Sequence, residues 1–114
     1  MALYQVEVLP DGEGELGDVF VRFRDAATGQ VVERSWTIAH DAQARAFDRA
    51  SASIQLAGTA ALLAEKLRGG PPADLIRLDE LAPIVNALRG HYAQSERVDE
   101  LATMFAQMRR LSGE

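Results

Sequence analysis

FDRASASIQLAGTAALLAEKLR, residues 47–68, decides how this chain folds, because it is apolar on almost every side of a helix of about six turns. Phe47, Ala50, Ile54, Ala57, Ala61 and Ala64 recur at three- and four-residue steps and form one stripe. Ala52, Leu56, Ala60, Leu63 and Leu67 form a second. Two stripes call for cover from two sides, which predicts a central helix. Most side chains of the first stripe are small and Gly58 interrupts it, so a neighbouring element is expected close to the backbone there, at a propensity cost of about 1 kcal/mol. Ala57 and Ala61 are expected in that contact, and Glu65 and Lys66 on the surface. Asp48, Arg49, Gln55, Glu65 and Lys66 within the stretch exclude a lipid-spanning helix.

Upstream, the period changes from helical to alternating. Tyr4, Val6 and Val8 oppose Gln5 and Glu7, predicting a strand over about 2–9. The loop PDGEGELG, residues 10–17, separates it from a second strand at about 18–24, with Val19, Val21 and Phe23 on one face and Phe20, Arg22 and Arg24 on the other. DAATG, residues 25–29, has hairpin length, and the return strand covers about 30–38. Val32, Trp36 and Ile38 alternate there with Glu33, Ser35 and Thr37, and Arg34 is the one charge on the apolar side. Three strands on short loops predict an antiparallel meander.

Downstream, Asp41 is the expected N-cap of the central helix, which spans about 42–68 and stops at Gly69, Gly70, Pro71 and Pro72. A second helix is expected at about 79–89, capped by Asp79 and ended by Gly90, with Leu81, Ile84, Val85 and Leu88 inward and Pro83 confined to its first turn. The third spans about 95–111 behind Ser95, with Val98, Leu101, Ala102, Phe105 and Met108 on one face. The expected fold class is α+β: a three-stranded antiparallel meander followed by three helices packed on one face, as a single module over 1–114.

The 114 residues suffice for a core without disulfides or metal, and the chain has no cysteine. A net charge of -5, without a block of like charge, argues against nucleic acid and against direct contact with an anionic membrane. Met1 leads straight into a strand-like segment, so no signal peptide is expected, and the residues by themselves leave the compartment open.

Few stretches of the chain have the residue types that chemistry requires. GEGELG, residues 12–17, matches G-x-G-x-x-G, but a strand rather than a helix is expected after it, and Glu13 and Glu15 would repel phosphate. Asp48, Ser51 and Ser53 approach a D-x-S-x-S metal loop with the spacing wrong by one residue, in a segment expected to be helical. His40 and His91 stand singly at element boundaries, without a second ligand at metal spacing, and Trp36 reads as a core or interface anchor. No catalytic, cofactor-binding or metal-binding residue is expected, and no enzyme.

The segments together resemble the C-terminal region of bacterial von Willebrand factor type A domain proteins of the calcium-activated chloride channel-like group. ALYQVEVLP is similar to the strand leaving the type A domain, GDVFVRFRDAATGQVVE to a following hairpin of the form V-x-V-R-Y-K-D-P, and AFDRASASIQLAGTAALLAEKLRG to an A-x-x-V-A-x-F-x-x-L-L-R helix. LDELAPIVNALRG and RVDELATMFAQMRRL are similar to the last two helices. Ala26 departs from the family's turn proline. The resemblance implies a C-terminal piece of a larger protein, with the metal-dependent adhesion site in a domain upstream and an extracytoplasmic or envelope-associated parent. It gives a non-enzymatic structural and interaction module that frames the type A domain, with the type A and β-rich domains of the parent as partners. The alternative is a free-standing regulatory or small-ligand-binding domain, with a site between Trp36 and the last two helices. Apolar residues on both strand faces and unpaired edges predict a homodimer of the isolated chain.

Overall fold

In the computed structural model, residues 3–4, 6–10, 13–41 and 43–113 are described. They fall into two compact units: a hairpin unit, 5–44, and a helical unit of 45–114 with 1–4.

The hairpin unit has two strands, β1 (Glu15–Arg24) and β2 (Val31–Ala39), paired antiparallel. Its turn follows from Asp25 and Gly29. The Asp25 carboxylate accepts from the backbone N–H groups of Ala27 (2.7 Å) and Thr28 (3.1 Å), and Gly29 takes the left-handed conformation, φ 71°, that closes the loop onto Gln30. The register places Val19 opposite Trp36, Val21 opposite Arg34 and Phe23 opposite Val32. On the other face Thr37 donates to the Asp18 carboxylate at 2.7 Å, which pins that register. Near Leu16 the ladder shifts by one residue, a bulge that lets β1 begin inside the expected loop.

The meander therefore has two strands, not three. Described residues 3–4 and 6–9 form no strand, while Ala2 and Gln5 of the expected 2–9 strand lie outside the described residues. The alternation there is real, but the loop is too short for a good partner. The His40 N–H bonds to the Gly14 carbonyl at 2.8 Å, so the ladder already runs to Gly14 and a return over residues 10–13 would set Leu9 opposite Gly14. Glu7 would then lie opposite Leu16 and diagonal to Asp18, a like-charge placement in an acidic neighbourhood.

In the helical unit, α1 (Ala52–Arg68), α2 (Leu78–His91) and α3 (Glu96–Ser112) enclose one core. Leu63, Leu78, Leu81, Val85, Leu88 and Phe105 are among its buried members. A short 3₁₀ turn, Pro71–Leu75, links α1 to α2 and buries Ala73. Each fully buried leucine is worth about 1.5–3 kcal/mol relative to exposure, so this cluster is the main store of stability among the described residues.

The central helix begins at Ala52, ten residues after the start expected behind Asp41 and five after the first residue of its apolar stripe. Residues 47–49 form a 3₁₀ turn, Ala50 is extended, and Ser51 stands at the N-cap of α1 without a side-chain cap bond. Two contacts hold this break. Phe47 folds back onto Gly58, where an added Cβ would lie 2.5 Å from the Phe47 ring. The Gln55 amide donates to the carbonyls of Phe47 (3.1 Å) and Asp48 (2.9 Å), supplying partners that a continuous helix would have provided. The Asp41 carboxylate accepts from the Gln43 N–H at 2.8 Å and its backbone carbonyl from the Ala44 N–H at 3.0 Å, a local turn that no helix continues among the described residues, and Ala42 lies outside them.

The two-sided cover expected for α1 is likewise absent: Thr59 and Leu63 are buried, whereas Ile54, Ala60, Ala61, Ala64 and Leu67 are exposed. At the far end the Lys66 ammonium donates to the Ile76 carbonyl at 2.9 Å, so Lys66 ties α1 to the following loop rather than standing free on the surface. Pro83 is the sixth residue of α2 rather than part of its first turn, and Gly90 lies within that helix, which runs to His91. Asp79 falls in the first turn, with Arg77 at the N-cap position.

Candidate functional site

Alternation in a paired hairpin sends every second side chain to one face. Val19, Val21 and Phe23 of β1 therefore share a face with Val32, Trp36 and Ile38 of β2. In a packed sheet such residues would be buried. Here Val32 is half-buried and the other five are exposed, Trp36 at 52% and Phe23 at 46%. A contiguous apolar patch of this kind is unusual on a surface unless it meets something.

One charge interrupts it. Arg34 sits opposite Val21, between Val32 and Trp36 along β2, and its guanidinium forms no ion pair or hydrogen bond with the described residues. A guanidinium presents five donors in a flat fork that suits a carboxylate. The face thus offers apolar contact around a single demand for a negative group.

The opposite face is mixed: Asp18, Arg22, Arg24, Glu33, Ser35 and Thr37 share it with Phe20 and Val31, themselves 67% and 50% exposed.

The helical unit has a second concavity, a shallow groove between α2 and α3. Ala82, Val85 and Phe105 form its floor, with Arg89 and Arg109 at its margins. Both arginines are engaged. Arg109 Nη2 donates to Asp79 at 2.5 Å, its guanidinium lies 6.0 Å from the Phe105 ring centre, and Arg89 Nε donates to Asp99 at 3.3 Å. These pairs clasp α2 against α3, so the groove reads as a helix seam.

Asp48 is in the 3₁₀ turn, Ser51 at the N-cap position and Ser53 in the first turn of α1, with the two serine hydroxyls 3.2 Å apart. Of GEGELG, Gly12 lies outside the described residues, and Glu15 to Gly17 belong to β1, a strand where a phosphate-binding loop would need a helix. His91 ends α2 edge-on to Tyr92, ring centres 4.7 Å apart, and His40 follows β2. Among the described residues no three His, Asp or Glu side chains are placed to hold a metal ion. No described helix is long and apolar enough to cross a membrane. Trp36 and the last two helices belong to different units.

Against known proteins, the chain matches no family model, no curated protein and no solved structure. The likeness to type A domain proteins rests on the quoted segments alone.

Proposed function

We propose that this chain is a non-enzymatic interaction module whose binding surface is the apolar face of the hairpin. The observation that carries this reading is the exposed set Val19, Val21, Phe23, Trp36 and Ile38 around Arg34. A two-stranded hairpin is marginal in water and needs cover on its apolar face.

The occupant is a protein surface that is itself apolar and carries one carboxylate opposite Arg34. Packing the face on its own copy is disfavoured, because a two-fold axis through the patch would bring two unpaired guanidinium groups together. The resemblance supplies the occupant's identity: the β-rich part of a parent protein, in which this module frames an upstream type A domain.

Photocrosslinking decides the matter. Benzoylphenylalanine at Phe23 or Trp36, in the cells the gene comes from, should label one polypeptide, and Arg34→Glu should abolish that labelling. Incorporation at Glu33 or Ser35, on the opposite face, should give none. Equal labelling from both faces, or none from Phe23 and Trp36, would overturn the reading.

A further inference from the structure

β1 and β2 make up the whole described sheet, so among the described residues the outer edge of each strand has no partner strand. The same chain contains an alternating segment, Val6, Glu7, Val8 and Leu9, that is exposed and in no strand. An open edge and a free strand-like segment are complementary in backbone hydrogen bonding. Charge then selects which edge is suited. On the polar face β1 presents Asp18 toward its start and Arg22 and Arg24 at its far end, whereas β2 presents Glu33 as its one charge. Glu7 is attracted to the Arg22 and Arg24 end of the β1 edge and repelled both by Asp18 and by the β2 edge.

An antiparallel register with Glu7 opposite Arg22 sets Val8 against Val21, Val6 against Phe23 and Leu9 against Phe20. Every side chain then has a partner of its own kind or of opposite charge. This register cannot form within one chain. Gly14 is fixed at the end of the ladder by its bond from His40. Phe20 is six residues further along β1, about 20 Å at the usual strand rise. Leu9 is five residues before Gly14, and five residues span at most about 18 Å even when fully extended, without the reversal that a hairpin needs. The register that the short loop does permit puts Glu7 beside Asp18.

We propose that two copies of this chain exchange residues 6–9, each segment adding antiparallel to the β1 edge of the other copy with Glu7 opposite Arg22. The exchange uses the edge of the hairpin and leaves its apolar face available, so it stands apart from the proposed function above.

Sedimentation velocity over a dilution series tests it through charge reversal. The unaltered chain should dimerise, and Glu7→Arg and Arg22→Glu should each weaken the dimer by about tenfold, since each reversal places like charges opposite one another at two symmetric sites. An equimolar mixture of the two variants should recover the dimer, because in the mixed pair every position 7 again meets an opposite charge at position 22. Recovery in the Glu7→Arg/Arg22→Glu double variant but not in the mixture would place the pairing within one chain and overturn exchange. A monomer at all concentrations, or single variants that dimerise as the unaltered chain does, would overturn it as well. Arg34→Glu should leave the dimer unchanged; a dimer lost in Arg34→Glu and kept in Glu7→Arg would move the interface to the apolar face and overturn the exchange.

Discussion

Thr59 is wholly buried, and its hydroxyl has no hydrogen-bond partner among the described residues. A hydroxyl taken from water without compensation costs roughly 1–3 kcal/mol, and valine fills the same volume without that cost. Thr59→Val should therefore raise the stability of the helical unit by about 1 kcal/mol, measured as the midpoint of helical circular dichroism in urea. A fall in the midpoint would mean that the hydroxyl holds a bond in solution and that α1 sits differently against its neighbours. Lys66 carries the complementary lesson at this scale. Its charge marks it as a surface residue in the sequence, yet its ammonium reaches the Ile76 carbonyl, because a lysine stem is long enough to lie along apolar surface while its tip finds an acceptor.

At the scale of elements, the approach of Phe47 to Gly58 sets where α1 begins, and it yields a coupled prediction. Alanine at position 58 gains about 1 kcal/mol of helix propensity over glycine, but its Cβ would displace the Phe47 ring. Gly58→Ala should thus be neutral or destabilising in the unaltered chain and stabilising by about 1 kcal/mol in a Phe47→Ala background. Additive effects in that double-mutant cycle would show that the ring does not rest on Gly58. This pair also shows what was legible beforehand. Gly58 marked a close approach in the sequence; that a phenylalanine eleven residues earlier fills it, and breaks the helix to do so, depends on a tertiary contact that no local period records. The faces of α2 and α3 were readable because leucine, isoleucine, valine and phenylalanine differ sharply from their polar neighbours. The side of α1 was not, since alanine gains little from burial and tolerates exposure. In the hairpin, alternation gave the membership of the apolar face and the place of Arg34 within it. It could not give exposure, because a strand that faces a partner and one that faces its own core share the same pattern. For the same reason residues 6–9 read as a strand: alternation records which side chains share a face and says nothing about whether a neighbouring strand is within reach.

For the molecule as a whole, charge and burial divide in the same way as the compact units. The hairpin unit, 5–44, holds eight acids against three arginines and so carries the entire formal charge of -5, while the helical unit balances nine acids with nine bases. Among the described residues, the buried ones all lie in the helical unit. Stability held in one cluster and charge held in the other set two different thresholds for unfolding. A two-stranded hairpin without cover is marginal, and mutual repulsion among its acids lowers its stability further. A three-helix core of nine buried apolar side chains should outlast it. Trp36, the single tryptophan, lies in β2, whereas all three helices lie in the other unit, so two spectroscopic signals report the two units separately. In urea, Trp36 fluorescence should change at lower concentration than helical circular dichroism at 222 nm. Added salt should shift the fluorescence transition upward by screening the acids while moving the helical transition little. Coincident transitions at every salt concentration would mean that hairpin and helices unfold as one cooperative body, and that the apolar face of the hairpin is already covered in the isolated chain.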